Sequence, residues 1–159
     1  MEPIWLKHYP AEVPRDINTS LYPSLVDLLD TSFKKNAAKP AYLMMGKSLS
    51  FAQVDDASRA MAAYLQGLGL EKGDRVAVMM PNLFQYPVAV AAILRAGFVL
   101  VNVNPLYTPR ELEHQLKDAG AKAIFIIENF ASVLQQVIKS VPTKHIILAS
   151  MGDMLGFAK

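Results

Sequence analysis

Four asparagines stand where short apolar runs give way to helical patterns: Asn82 after residues 76–80, Asn102 and Asn104 after residues 99–101, and Asn129 after residues 123–127. In an open α/β sheet, ligands bind beyond the carboxyl ends of the strands, where strand order reverses. Four carboxamides at such ends would line a crevice able to hold a polar ligand. Asparagine at the same boundaries also caps helices and shapes turns, and the sequence leaves both roles open. The turn that carries Asn82, MPNLF at 80–84, has no glycine. Backbone amides cannot approach a pyrophosphate over such side chains, so neither a dinucleotide fingerprint nor a phosphate loop is present.

The other chemistry-bearing residues are dispersed. His8, His114 and His145 share no metal-ligand spacing. Glu111 and Glu113, two apart on a helix, face different ways and make no carboxylate pair. Without cysteine there is no thiol nucleophile, no disulfide framework and no Cys-based metal site. From the residues alone, no catalytic, cofactor-binding or metal-binding residue is assigned.

The elements that must position the asparagines are legible. Residues 76–80 form a continuous apolar run, residues up to Arg95 a small-residue helix pattern that stops at Gly97, and residues 99–101 a second β-branched run. Buried strand, crossover helix and buried strand make a βαβ unit, hence a parallel sheet. Thr108-Pro109-Arg110-Glu111 is a helix start with cap, first-turn proline and capping box, Tyr107 and Leu112 being placed as a hydrophobic staple. That helix ends near Gly120, residues 123–127 form the next buried strand, Asn129 caps a helix through about Lys139, and residues 145–149 form a fourth strand. The resulting order predicts an α/β fold, a doubly wound, mostly parallel sheet with helices on both faces.

Upstream, Ser24 caps a helix with Leu25, Leu28, Leu29 and Phe33 at helical spacing, and residues 42–49 read as two short strands around a tight turn. Ser50 and Gln53 have capping-box spacing, with Leu49 and Val54 as staple, for a helix from Phe51 to about Gln66. Residues 1–23 hold Pro3, Pro10, Pro14 and Pro23 without periodicity. They read as an irregular surface arm, with Trp5, Leu6 and Tyr9 as its anchors. Residues 24–159 are then a partial α/β domain.

Bulk composition agrees with one domain or part of one: 159 residues, 52% hydrophobic, 19% charged. A net charge of +2 with both signs interspersed excludes a basic stripe for nucleic acid. The most apolar window, residues 88–101, is interrupted by Arg95 and Gly97, and is shorter than the roughly 18–20 apolar residues a membrane span needs.

The segments GLGLEKGDRVAVMMPN, 67–82, and AGFVLVNVNPLYTPRELEHQLKDAGAKAI, 96–124, resemble the N-terminal region of the adenylate-forming acyl-CoA synthetase superfamily. The opening IWLKHYPAEVPRDI and the form NVNPLYTPRELEHQL are similar to its bacterial long-chain fatty acid–CoA ligase branch. The resemblance implies a parent enzyme that joins a fatty acid to ATP as an acyl-adenylate, releases pyrophosphate, and passes the acyl group to CoA. It implies ATP, Mg²⁺ and CoA for that parent, a cytoplasmic setting, and peripheral association with the inner membrane. The superfamily's Ser/Thr/Gly-rich phosphate loop, Thr-Glu pair, ribose-binding Asp, hinge and C-terminal Lys have no matching positions here, so none is carried over. The chain is therefore expected to be a truncated N-terminal piece, without cofactor and inactive alone, and prone to self-association through uncovered edges and its arm. A stand-alone α/β binding or regulatory module, or a scaffold subunit completing an enzyme in trans, is the competing expectation.

Overall fold

The protein is described by a computed structural model, which covers residues 3–156. After a short 3₁₀ turn at Ile4–His8, the elements run α1 (Leu25–Lys35), β1 (Pro40–Met44), β2 (Lys47–Ser50), α2 (Phe51–Gln66), β3 (Arg75–Met79), α3 (Gln85–Arg95), β4 (Val99–Asn102), α4 (Pro109–Ala119), β5 (Ala123–Ile127), α5 (Ala131–Val137) and β6 (His145–Ala149). β1 and β2 form a separate antiparallel hairpin, while the other four strands make one sheet in the order β4-β3-β5-β6. All three neighbouring pairs in that sheet are parallel.

Alternation along the central strands explains why both faces carry helices. Val76 and Val78 of β3, with Phe125 and Ile127 of β5, pack against Leu65 of α2 and Ala92 and Ile93 of α3. Ala77, Met79, Ile124 and Ile126 point the other way, onto Leu112 and Leu116 of α4 and Leu134 and Val137 of α5. A strand buried on both sides must be apolar at every position, and β3 and β5 satisfy this throughout their buried stretches. A third cluster joins Phe33 of α1 and Leu49 of the hairpin to Val54, Phe84, Val88 and Ala91, with Leu155 returning to it after β6.

Local signals set the helix ends. Ser24 Oγ accepts from the Asp27 amide, while Ser50 with Gln53 and Thr108 with Glu111 form complete capping boxes. Leu49 and Val54 are both buried in one cluster, and Tyr107 packs with Leu112 in another, as the staples require. In the hairpin turn, Met45 and Gly46 both have positive φ, 48° and 73°, which a two-residue turn between twisted strands demands.

Three expectations are corrected. β4 is an edge strand with Val99 and Asn102 exposed, because β5 crosses to the far side of β3 and nothing pairs with β4's outer side among the described residues. Asn129 caps no helix: it lies inside a 3₁₀ turn, Glu128–Phe130, and α5 begins at Ala131 and stops at Val137, short of Lys139. In the arm, Trp5 and Tyr9 stay largely exposed and outside the buried clusters, whereas Leu6 is half-buried. No described helix is long and apolar enough to cross a membrane.

Candidate functional site

The crossover from β3 to β4 runs through α3 on one face, and that from β4 to β5 through α4 on the other, so strand order reverses between β3 and β5. A crevice opens at such a reversal. Its floor is the carboxyl ends of β3 and β5, which hand over to residues 80–84 and to the 3₁₀ turn at Glu128–Phe130. Asn82 and Asn129 stand there, both exposed. Asn102 and Asn104 belong to the neighbouring outer strand end.

Those two outer carboxamides are engaged by the protein. Asn102 Oδ1 accepts from the Tyr86 hydroxyl at 3.0 Å, and its carbonyl accepts from Gln115 Nε2 at 2.8 Å. This ties β4 to the start of α3 and to α4. Asn104 Oδ1 accepts from the Leu106 amide at 3.0 Å, a side-chain-closed turn that leads into the Thr108 cap.

A polar link that the sequence did not disclose joins the loops at the strand ends. Gln85 Nε2 donates to the Ser150 carbonyl at 2.7 Å, Ser150 Oγ donates to Glu128 Oε1 at 2.7 Å, and the Ser150 amide donates to Asp153 Oδ2 at 2.7 Å. The start of α3 is thereby joined to the segment after β6 and to the turn after β5. Gln85 Oε1 and Gln115 Oε1 are buried without a partner. No local motif announces partners 65 residues apart; only the placement of Gln85 at a helix start beside a strand end could have raised it.

Beside Asn82 lies an apolar groove of about 460 Å³ between α1, the β1-β2 hairpin and the start of α3. Leu29, Phe33, Leu43, Met44, Phe84 and Val90 supply most of its wall, and Tyr42, Tyr86 and Asn82 bring polar side chains to it. A wider basin of about 750 Å³ runs along α4 past Arg110, Glu111, His114 and Asp118. His114 is exposed there among charges of both signs. Thr108 donates to Glu111 through its hydroxyl at 2.7 Å and its amide at 2.9 Å, and these bonds hold the Glu111 carboxyl below the usual glutamate range. Glu113 is lowered too, chiefly by its 2.6 Å bond to Lys117.

As a seat for a nucleotide and its metal, these residues do not fit. Among the described residues no three His, Asp or Glu side chains converge on one point, and the turn after β3 buries Leu83 and Phe84 where a phosphate would need bare amides.

The family model described as AMP-binding enzyme matches residues 29–157. The chain is 57% identical over its whole length to the long-chain-fatty-acid–CoA ligase of Escherichia coli O6:H1, and spans 28% of that relative. It is 52% identical to the ligase of the same description from Haemophilus influenzae, again over its whole length and 28% of the relative. Among solved structures, a long-chain-fatty-acid-CoA ligase from Archaeoglobus fulgidus superposes with a TM-score of 0.71 at 25% identity, covering 80% of this chain and 28% of the other. An anthranilate CoA ligase in complex with anthranoyl-AMP reaches 0.76 at 24% identity, covering 81% and 25%, and shows the likeness of fold.

Proposed function

The chain belongs to the AMP-binding enzyme family, and on that premise we propose that it forms the N-terminal part of a long-chain fatty acid–CoA ligase. The observation that carries this reading is 52–57% identity to such ligases along the entire chain, not along one motif. The chain spans a little over a quarter of those relatives' length, so the activity is a property of the longer protein. In that protein the fatty acid carboxylate attacks the α-phosphate of ATP, pyrophosphate leaves, and the thiol of CoA displaces AMP from the acyl-adenylate. Mg²⁺ supplies charge neutralisation at the phosphates when bound. We assign none of these steps to residues 3–156. Their part is to hold a rigid sheet whose carboxyl ends face the remaining machinery, with the Gln85–Ser150 and Tyr86–Asn102 bonds fixing the loops there. A cytoplasmic setting with peripheral contact at the inner membrane suits a substrate of low solubility, and is part of the same proposal.

The test joins gene and assay. We expect the reading frame past Lys159 to enter a Ser/Thr/Gly-rich loop, and its product to catalyse palmitate-dependent exchange of pyrophosphate into ATP. The 159-residue chain alone should give no more exchange than a heat-killed control, because phosphoryl chemistry needs positioned cationic and amide donors around the phosphates. Exchange by the short chain, or an inactive product from the longer frame, would overturn the reading.

A further inference from the structure

Given a long-chain ligase as the parent protein, a reading on which this inference rests, we propose that Gln85 is a positioning residue for the adenylation step. Its carboxamide fixes the course of residues 150–156 across the carboxyl ends of the sheet, and with it the approach of the chain that follows in the longer protein. The two ends of the sheet are held together differently. At the amino ends, main-chain bonds stitch one segment to the next: the Gly73 amide donates to the Gly97 carbonyl, that of Lys122 to Arg75 and that of Lys144 to Lys122, all at 2.8–2.9 Å. Such bonds do not depend on side-chain identity, proline aside. At the carboxyl ends, past the last rungs of the ladder, the links run through side chains: Tyr86 and Gln115 to Asn102, Ser150 to Glu128, and Gln85 to Ser150. Single residues therefore decide the geometry at the end where an open α/β sheet takes its ligands.

Among these, Gln85 combines a fixed base with a long reach. Its neighbour Phe84 is 2% exposed and packs in the cluster that holds Val88 and Leu155, so the start of α3 cannot shift without breaking that packing. From this base Gln85 Nε2 donates to the main-chain carbonyl of Ser150 at 2.7 Å, 65 positions away. β5 lies between β3 and β6, so no rung of the sheet joins those two strands. The Gln85 bond bridges their ends directly. Leu155 returns the same segment to the α3 cluster, and the Ser150 amide closes a turn on Asp153 Oδ2 at 2.7 Å. Residues 150–156 are thus tied to α3 at one apolar and one polar point. Gln85 Oε1 is buried without a partner among the described residues, so the donor bond alone orients the carboxamide. Catalysis by orientation is sensitive to such ties, since a displacement of about 1 Å remote from the reacting atoms can cost about a hundredfold in rate.

The experiment sets Gln85→Met, which keeps the length and loses the donor, beside Ser150→Ala, which loses the hydroxyl bond to Glu128 but keeps the carbonyl that Gln85 holds. In the product of the longer reading frame, palmitate-dependent pyrophosphate exchange by Gln85→Met should show kcat lowered roughly tenfold or more, with KM for ATP and for palmitate within about twofold. Its melting temperature should stay close to that of the unmodified protein. Gln85→Asn, too short to reach the carbonyl, should reproduce the loss, and Ser150→Ala should match the unmodified protein. In the 159-residue chain, amide hydrogen exchange over residues 150–156 should quicken in Gln85→Met and stay unchanged in Ser150→Ala. Three results would overturn the proposal: a lower melting temperature with kcat unchanged at permissive temperature, equal losses in Gln85→Met and Ser150→Ala, or unaltered hydrogen exchange at 150–156 in Gln85→Met. An unmodified longer product without activity overturns the ligase reading and this inference with it, whereas an active one indifferent to Gln85→Met overturns this inference alone.

Discussion

At the scale of the residue, the Thr108–Glu111 box shows how much a helix start rests on two side chains. Thr108 Oγ1 receives the Glu111 amide while the Glu111 carboxylate takes both the amide and the hydroxyl of Thr108. Thr108→Ala should lower stability by roughly 0.5–2 kcal/mol, the usual worth of such a cap. In the longer ligase it should leave turnover at permissive temperature within a few-fold; an equally stable variant that has lost most activity would show that Thr108 serves the reaction. The carboxylate adds a pH dependence of definite sign. Thr108's bonds lower the Glu111 carboxyl in the folded state, so its contribution is present above the unfolded glutamate range and is lost as pH falls through the lowered folded value. Denaturant titrations between about pH 6 and about pH 3, which bracket ordinary glutamate, should therefore give a shallower acid slope for Glu111→Gln, since glutamine still closes the box without titrating. Glu113, lowered by Lys117, keeps part of the slope in that variant.

Between elements, two junctions carry more than packing. Gly120 ends α4 with φ of 62°, and a Cβ there would stand 2.7 Å from Arg75 Nη2. Arg75 Nε in turn donates to the Ala119 carbonyl at 2.8 Å, so β3's first residue satisfies the last turn of α4. Gly120→Ala should cost roughly 1–2 kcal/mol from the left-handed backbone alone, and more once Arg75 is displaced; an unchanged melting temperature would refute this. The second junction is Arg95, whose side chain is 7% exposed and lies between Asp30 of α1 and Asp55 of α2, over the Phe33 ring at 5.5 Å. Arg59 also pairs with both carboxylates. Removing Arg95 takes away the buried cation between α1 and α2 and leaves the half-exposed Arg59 alone to pair both acids, so Arg95→Ala should destabilise by about 2 kcal/mol, less than a buried charge left without any partner. Hydrogen exchange should show α1 losing protection first, because its other ties are chiefly the apolar contacts around Phe33 and Leu29.

Taken whole, the described residues form a doubly covered sheet with two open edges. β3 and β5 are sealed by helices on both faces, whereas β4 exposes Val99 and β6 exposes Ile146 and Leu148. Unpaired edges of this kind are where other chain adds on. The chain spans 28% of the length of the Escherichia coli relative it matches. For this reason pyrophosphate exchange is expected from the longer protein and not from the 159-residue chain.

Much of this was written in the sequence because its causes are local. Capping boxes at Ser50 and Thr108, the helix stop at Gly120 and the all-apolar runs of β3 and β5 each depend on residues within a few positions of one another. Asn129 was misjudged because a cap is only one of several local uses for a carboxamide, and here the chain takes a 3₁₀ turn first. Strand order, by contrast, is a property of how units stack, and it alone decided that β4 is an edge, that the order reverses between β3 and β5, and that Asn102 is bound by Tyr86 and Gln115 while Asn82 stays exposed. The same holds for Gln85 with Ser150 and Arg95 with Asp30: partners 65 positions apart, or on separate helices, meet only after the sheet is wound. Short-range hydrogen bonding and hydrophobic periodicity are encoded position by position, but which polar groups face each other across a crevice is settled when distant elements pack and each buried group must find a partner.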